Sequence, residues 1–160
     1  MPFTTGAAAS VSDAVLALGN YAGNNVPISV YIESNSGGVP GSVLANFDQV
    51  GTIPSHGGGS GLVTFTCASG CNLAGGTQYW LVALETDANT QQLWDGVTGD
   101  PSGVFAFNES GSATGPWVQD GNYESAFQID GPTTPEPASV LLLGSGLAVF
   151  GIAWRRPYVR

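Results

Sequence analysis

Apolar and polar positions alternate with a period of two along most of this chain. In residues 28–34, Ile28, Val30 and Ile32 fall on one face and Ser29, Tyr31 and Glu33 on the other. Residues 62–67 set Val63, Phe65 and Cys67 against Leu62, Thr64 and Thr66. Residues 123–130 place Tyr123, Phe127 and Ile129 opposite Glu124, Gln128 and Asp130. In residues 78–85 both faces are apolar, Trp80, Val82 and Leu84 against Tyr79, Leu81 and Ala83, which predicts a central strand. Weaker strand patterns cover residues 13–19, 42–50 and 103–108. Between them lie "SNSGGVPG", "SHGGGSG", "AGGTQ", "TGDPSG", "ESGSATGP" and "QDGN", rich in the residues that tight turns need. No body segment sustains a 3.6-residue period, and no internal repeat stands out. About seven short strands at this spacing predict an all-β fold, an antiparallel β-sandwich or jelly roll, over residues 1–130.

The pattern breaks at "DGPTTPEP". Pro132, Pro135 and Pro137 make residues 131–137 an extended spacer in which a helix cannot form. Residues 138–154 then run uncharged and mostly apolar. As a helix this run spans about 25 Å, a little under a hydrocarbon core of roughly 30 Å. Its apolar residues favour insertion by roughly 2–5 kcal/mol, and Gly144, Ser145, Gly146 and Gly151 offset part of that. A buried core helix would carry a polar face, and this run has none. The Gly-Ser-Gly centre lacks the spacing of a helix-packing motif. The reading is therefore a single C-terminal transmembrane helix. Residues 155–160 form a basic tail.

Charge changes the picture. All three cationic side chains, Arg155, Arg156 and Arg160, follow the apolar run, and residues 1–134 hold eleven acids with no Lys or Arg. Positive charge stays on the cytoplasmic side, so Arg155 and Arg156 stop translocation, fix orientation and leave the body on the far side of the membrane. A body so acidic repels phosphate, which excludes a nucleic-acid partner. Charged residues are only 9% of the chain, so its surface is built from uncharged polar groups. A hydrophobic content of 42% with four Trp argues against disorder. Cys67 and Cys71, in "TFTCASGCNL", are candidates for a disulfide across a tight turn. They lack a neighbouring His and the spacing of a redox pair, so metal binding and redox chemistry fit poorly. The start, "MPFTTGAAAS", shows neither the basic nor the apolar region of a secretory signal.

Pro135, Glu136 and Pro137, then an apolar run, then Arg155 and Arg156, resemble the PEP-CTERM sorting signal of Gram-negative bacteria. The tail "RRPYVR" is less densely basic than usual for it, with Pro157 interrupting. The resemblance implies processing by an exosortase, a membrane cysteine transpeptidase, with Pro135, Glu136 and Pro137 as the recognised residues. It implies delivery to the cell surface or extracellular matrix, with this chain as substrate. The stretches "LALGN", "VYIESNSGGVPGSVLANF", "LAGGTQYWLVA" and "SAFQIDG" are similar to the choice-of-anchor R domain. That likeness implies an extracellular β-rich module with no established catalytic residues. Relatives carry a signal peptide and further residues before "FTTG", so the expectation is a true start upstream of Met1.

Candidate chemistry in the body is sparse. His56, alone in "PSHGGGSG", reads as a solvated turn residue before it reads as part of a hydrolytic triad. Asp95, Asp100, Glu109 and Asp120 lie in loops beside Trp94 and Trp117, but eleven acids make some pairing inevitable, so glycoside hydrolysis is weakly signalled. Asp87, Asn89, Asp95 and Asp100 offer oxygen ligands for calcium without a recognised spacing. Asn108, Glu109 and Ser110 form a glycosylation sequon of little meaning in a bacterium. Trp94 and Trp117, in "QQLWDGVTGD" and "ATGPWVQDGN", are candidate glycan contacts, although rings covering the core are the commoner arrangement. The expectation is a non-enzymatic protein with no cofactor and no metal. Its expected role is structural or adhesive, in exopolysaccharide or biofilm, and membrane lipid is a partner through the helix. The alternative is a carbohydrate-binding module.

Overall fold

The computed structural model describes residues 1–21, 27–55, 59–85, 92–96, 104–108, 112–121 and 123–132. In chain order its strands are β1 (Pro2–Thr4), β2 (Ala9–Ser10), β3 (Asp13–Asn20), β4 (Ile28–Ser36), β5 (Val39–Val50) and β6 (Gly61–Ser69). There follow β7 (Asn72–Leu73), β8 (Gln78–Glu85), β9 (Gln92–Trp94), β10 (Val104–Phe107), β11 (Val118–Gly121) and β12 (Phe127–Asp130). The described residues contain no helix, and every strand pair is antiparallel.

One eight-stranded sheet runs β1-β8-β4-β5-β6-β3-β12, with β9 beside β12 on the same edge of β3. It curls until its two ends meet. Phe3 of β1 and Phe127 of β12 lie at opposite ends of the strand order, yet their rings are 6.3 Å apart in an edge-on pair. Right-handed twist accumulated over this many strands brings a sheet round on itself and leaves little open edge. The concave face is the core. It gathers Ala14, Leu16 and Leu18 of β3, Ile28, Val30 and Ile32 of β4, Ala45 and Phe47 of β5, Val63 and Phe65 of β6, and Tyr79 and Leu81 of β8. The result is an all-β, sandwich-like fold.

The alternation in residues 28–34, 62–67 and 78–85 marks the inward residues of β4, β6 and β8 correctly. As its two apolar faces require, β8 has a neighbour on each edge. The weakly patterned residues 13–19 become the well-buried β3, bonded to β6 on one edge and to β12 and β9 on the other. The last strand differs from expectation: it begins at Phe127, not at residue 123. Residues before it bond to the end of β9 instead, Ala126 N–H to Asp95 O at 2.7 Å and Tyr123 Oη–H to Trp94 O at 2.7 Å.

The convex face is covered at one end. β10 and β11 form a separate antiparallel hairpin. Phe105, Ala106 and Trp117 share a cavity of about 90 Å³ with Met1, Pro40 and Val82, which lays this hairpin over β8. Gly38 approaches Gln119 of β11 on the same side. Trp80 is only 1% exposed although it lies outside the core cluster.

Candidate functional site

Cys67 at the end of β6 and Cys71 before β7 are joined by a disulfide, with their Cα atoms 6.2 Å apart. Gly70 between them has φ +74°, and a Cβ there would collide with the backbone carbonyl oxygen of Leu44. Only glycine fits that approach. The closed loop ties down a junction, because Cys71 O accepts from Val11 N–H at 2.7 Å and Cys67 N–H donates to Ser12 O at 2.7 Å.

The two candidate glycan tryptophans occupy packed positions. Trp94 packs edge-on against Phe127, with ring centres 6.3 Å apart, and its Nε1–H donates to Ala126 O at 2.9 Å. This ring seals the seam where β9 and β12 meet on β3. Trp117 is partly buried beneath the hairpin, and its Nε1 is buried without a hydrogen-bond partner. Asp120 turns back on its own backbone, accepting from Gly121 N–H at 2.7 Å. His56, Asp87, Asn89, Asp100 and Glu109 lie outside the described residues. Among the described residues, no three of His, Cys, Asp and Glu come together in a group that could hold a metal.

Sequence reasoning overlooked Glu33. Alternation puts it on the convex face of β4, opposite Trp80 of β8. There it is 0% exposed, and neither carboxylate oxygen has a hydrogen-bond partner. The Nε1–H of Trp80, its register partner, donates to Asn35 Oδ1 at 3.0 Å. Burial pushes the Glu33 carboxyl up to about 7, partly countered by the α-ammonium of Met1. The same burial pushes the Met1 amine down to about 5, with Glu33 acting against it, and Met1 N donates to Leu81 O at 2.7 Å. Burial in an apolar layer disfavours the charged form of either group. Nothing in the pattern of β4 alone signals this, since alternation groups Glu33 with the partly exposed Ser29 and Tyr31.

The remaining candidate features, Pro135, Glu136, Pro137, the apolar run and Arg155 and Arg156, all fall outside the described residues. Among the described residues no helix is long and apolar enough to cross a membrane. The comparison with protein families decides what this segment is: residues 133–156 match the PEP-CTERM protein-sorting motif. The chain ends in a PEP-CTERM signal. The match contains Pro135, Glu136 and Pro137 together with Arg155 and Arg156. A PEP-CTERM signal implies an exported, membrane-anchored cell-surface protein that exosortase processes. The likeness of the body to the choice-of-anchor R domain finds no support in the comparisons. No curated protein and no solved structure matches the chain.

Proposed function

We propose that this chain is a displayed, non-enzymatic surface protein of a Gram-negative bacterium. The PEP-CTERM signal at residues 133–156 is the observation that carries the reading. On this reading residues 138–154 span the inner membrane and Arg155 and Arg156 hold the cytoplasmic end. An exosortase recognises Pro135, Glu136 and Pro137 and releases the acidic β domain toward the surface or the extracellular matrix. There the domain has a structural or adhesive role in exopolysaccharide or biofilm. The body supports this in three ways. Its lysine- and arginine-free polar surface and its disulfide suit a compartment outside the cytoplasm. Among the described residues, the strongly perturbed carboxyl, Glu33, is fully enclosed and out of reach of a substrate. The two candidate glycan tryptophans are engaged in packing or partly covered.

The test is the mature C-terminus. Mass spectrometry of the protein recovered from cells with and without the exosortase gene should show loss of residues beyond the Pro-Glu-Pro segment only when the enzyme is present. Glu136→Ala should leave the uncleaved form. Identical C-termini in both strains would reject the reading.

A further inference from the structure

The convex face left open by the hairpin carries a groove with a composition of its own. β4 and β5 part at one end because each follows its other neighbour. Their pairing stops at Val30 opposite Phe47. From there β4 continues along β8 to Ile28 opposite Glu85, while β5 continues along β6 to Val50 opposite Thr64. Gln49 bridges the split: its Oε1 accepts from Ile28 N–H at 3.2 Å and its Nε2–H donates to Gly51 O at 2.9 Å. The opening is a groove of about 520 Å³ that includes Ser29, Tyr31, Asn46, Asp48 and Gln49 in its lining. That volume is within the range of small-ligand sites, roughly 300–1,000 Å³.

We propose that this groove binds a neutral oligosaccharide, with Tyr31 as the stacking ring and Asp48 and Asn46 as the groups that receive sugar hydroxyls. Tyr31 and Asn46 are directly opposite in register, and Asp48 lies two residues on along β5, on the same face. Tyr31 is partly exposed, Asn46 and Asp48 are exposed, and all three alternate with the core residues Val30, Ile32, Ala45 and Phe47. Among the described residues, none forms a hydrogen bond with the Tyr31 hydroxyl, the Asp48 carboxylate or Ser29 Oγ. Asn46 uses only its Nδ2, donating to Ser69 Oγ at 3.2 Å, which orients the amide and leaves Oδ1 free. An aromatic face beside fixed acceptors is what a pyranose needs: its C–H face packs on the ring while its hydroxyls donate at the rim.

Charge selects among glycans. The first 154 residues contain no Lys or Arg, and the body before the sorting signal carries eleven acids. A uronate or sulfated chain would meet Asp48 with no cation to offset it. A ligand of neutral hexoses meets no such repulsion. The proposal names a ligand for the module proposed above and takes from that reading only the place where the ligand is met. Failure to bind therefore leaves export untouched, and failure of export leaves binding untouched.

The experiment uses the full chain in a sugar-free zwitterionic detergent, titrated calorimetrically with a panel of neutral hexaoses (β-1,4-glucan, β-1,3-glucan and β-1,4-mannan) and with oligogalacturonate as the anionic arm. At least one neutral hexaose should bind saturably and the anionic one should not. Tyr31→Ala should weaken binding by about tenfold or more, equivalent to roughly 1.4 kcal/mol, with Tyr31→Phe retaining most of it. Asp48→Asn should weaken neutral binding and leave the anionic arm less disfavoured. Trp117→Ala should change nothing. Circular dichroism of each variant confirms an intact fold, since Tyr31 and Asp48 lie outside the core. No binding by any neutral hexaose, binding unaffected by Tyr31→Ala, or preference for the anionic arm would each overturn the proposal.

Discussion

The body through residue 132 carries eleven acids and no Lys or Arg, whereas the segment from residue 133 onward carries one acid and all three arginines. The body alternates with a period of two and buries its apolar residues against one another in a curled sheet. The C-terminal segment has an apolar run with no polar face and so cannot bury itself in the same way. On the proposed reading its apolar residues find their surrounding in the membrane. The contrast separates two tasks. On the proposed reading the curled sheet supplies the cohesion of the fold, and the PEP-CTERM signal at residues 133–156 supplies the address. A change in either part should leave the other task intact.

The largest effect should come from the address. Replacing Arg155 and Arg156 with Glu should abolish ordered retention and exosortase processing while the body still folds, measured by fractionation together with the circular dichroism of the recovered protein. Loss of β structure in that variant would break the division. Phe65→Ala strikes the other half. Phe65 is fully buried at the centre of the concave face, so its truncation should cost about 3–5 kcal/mol in urea unfolding, with targeting signals unaffected. Replacing both Cys67 and Cys71 with Ser should cost less. The loop they close is short, so the loss falls at the low end of about 2–4 kcal/mol, measured against the oxidised protein.

The smallest effect is the most diagnostic of the enclosure of Glu33. A carboxyl raised to about 7 in the folded state is protonated there when the unfolded chain, near its ordinary 4.5, has already ionised. Its contribution is fully present below about 4.5 and is lost as pH rises through about 7. The Met1 amine, lowered to about 5, works in the opposite sense between about 5 and 8. Glu33→Gln removes the first and, with it, the charge that opposes the fall of the amine. Relative to wild type the variant should therefore gain stability steadily from pH 5 to pH 8, by about 1–2 kcal/mol at the upper end. A difference independent of pH would mean that Glu33 reaches solvent.

What the sequence revealed follows from where each constraint originates. Period-two patterning exposed β4, β6 and β8, because there one face or both meet apolar neighbours along the whole strand. It passed over β1, β2, β7, β9 and β11, which are two to four residues long and exist through partners far along the chain. Pro2 to Thr4, for example, become a strand only by lying against Gln78 to Trp80. The PEP-CTERM signal was readable from local order alone, since a sorting enzyme and a membrane read it as a linear segment. The burial of Glu33 and the groove at Tyr31 were not. Both sit on the polar face of the same strand, yet Glu33 is enclosed while Tyr31 lines an open groove.

The central claim is that the acidic body stands outside the cytoplasm, placed there by the segment that follows it. The direct measurement is protease accessibility in spheroplasts of cells expressing the chain from its native locus, combined with maleimide trapping of Cys67 and Cys71. The account predicts that protease added from outside digests the body and that both sulfurs are already joined. Full-length protein in the soluble cytosolic fraction, protected from protease and with both thiols free, would contradict it.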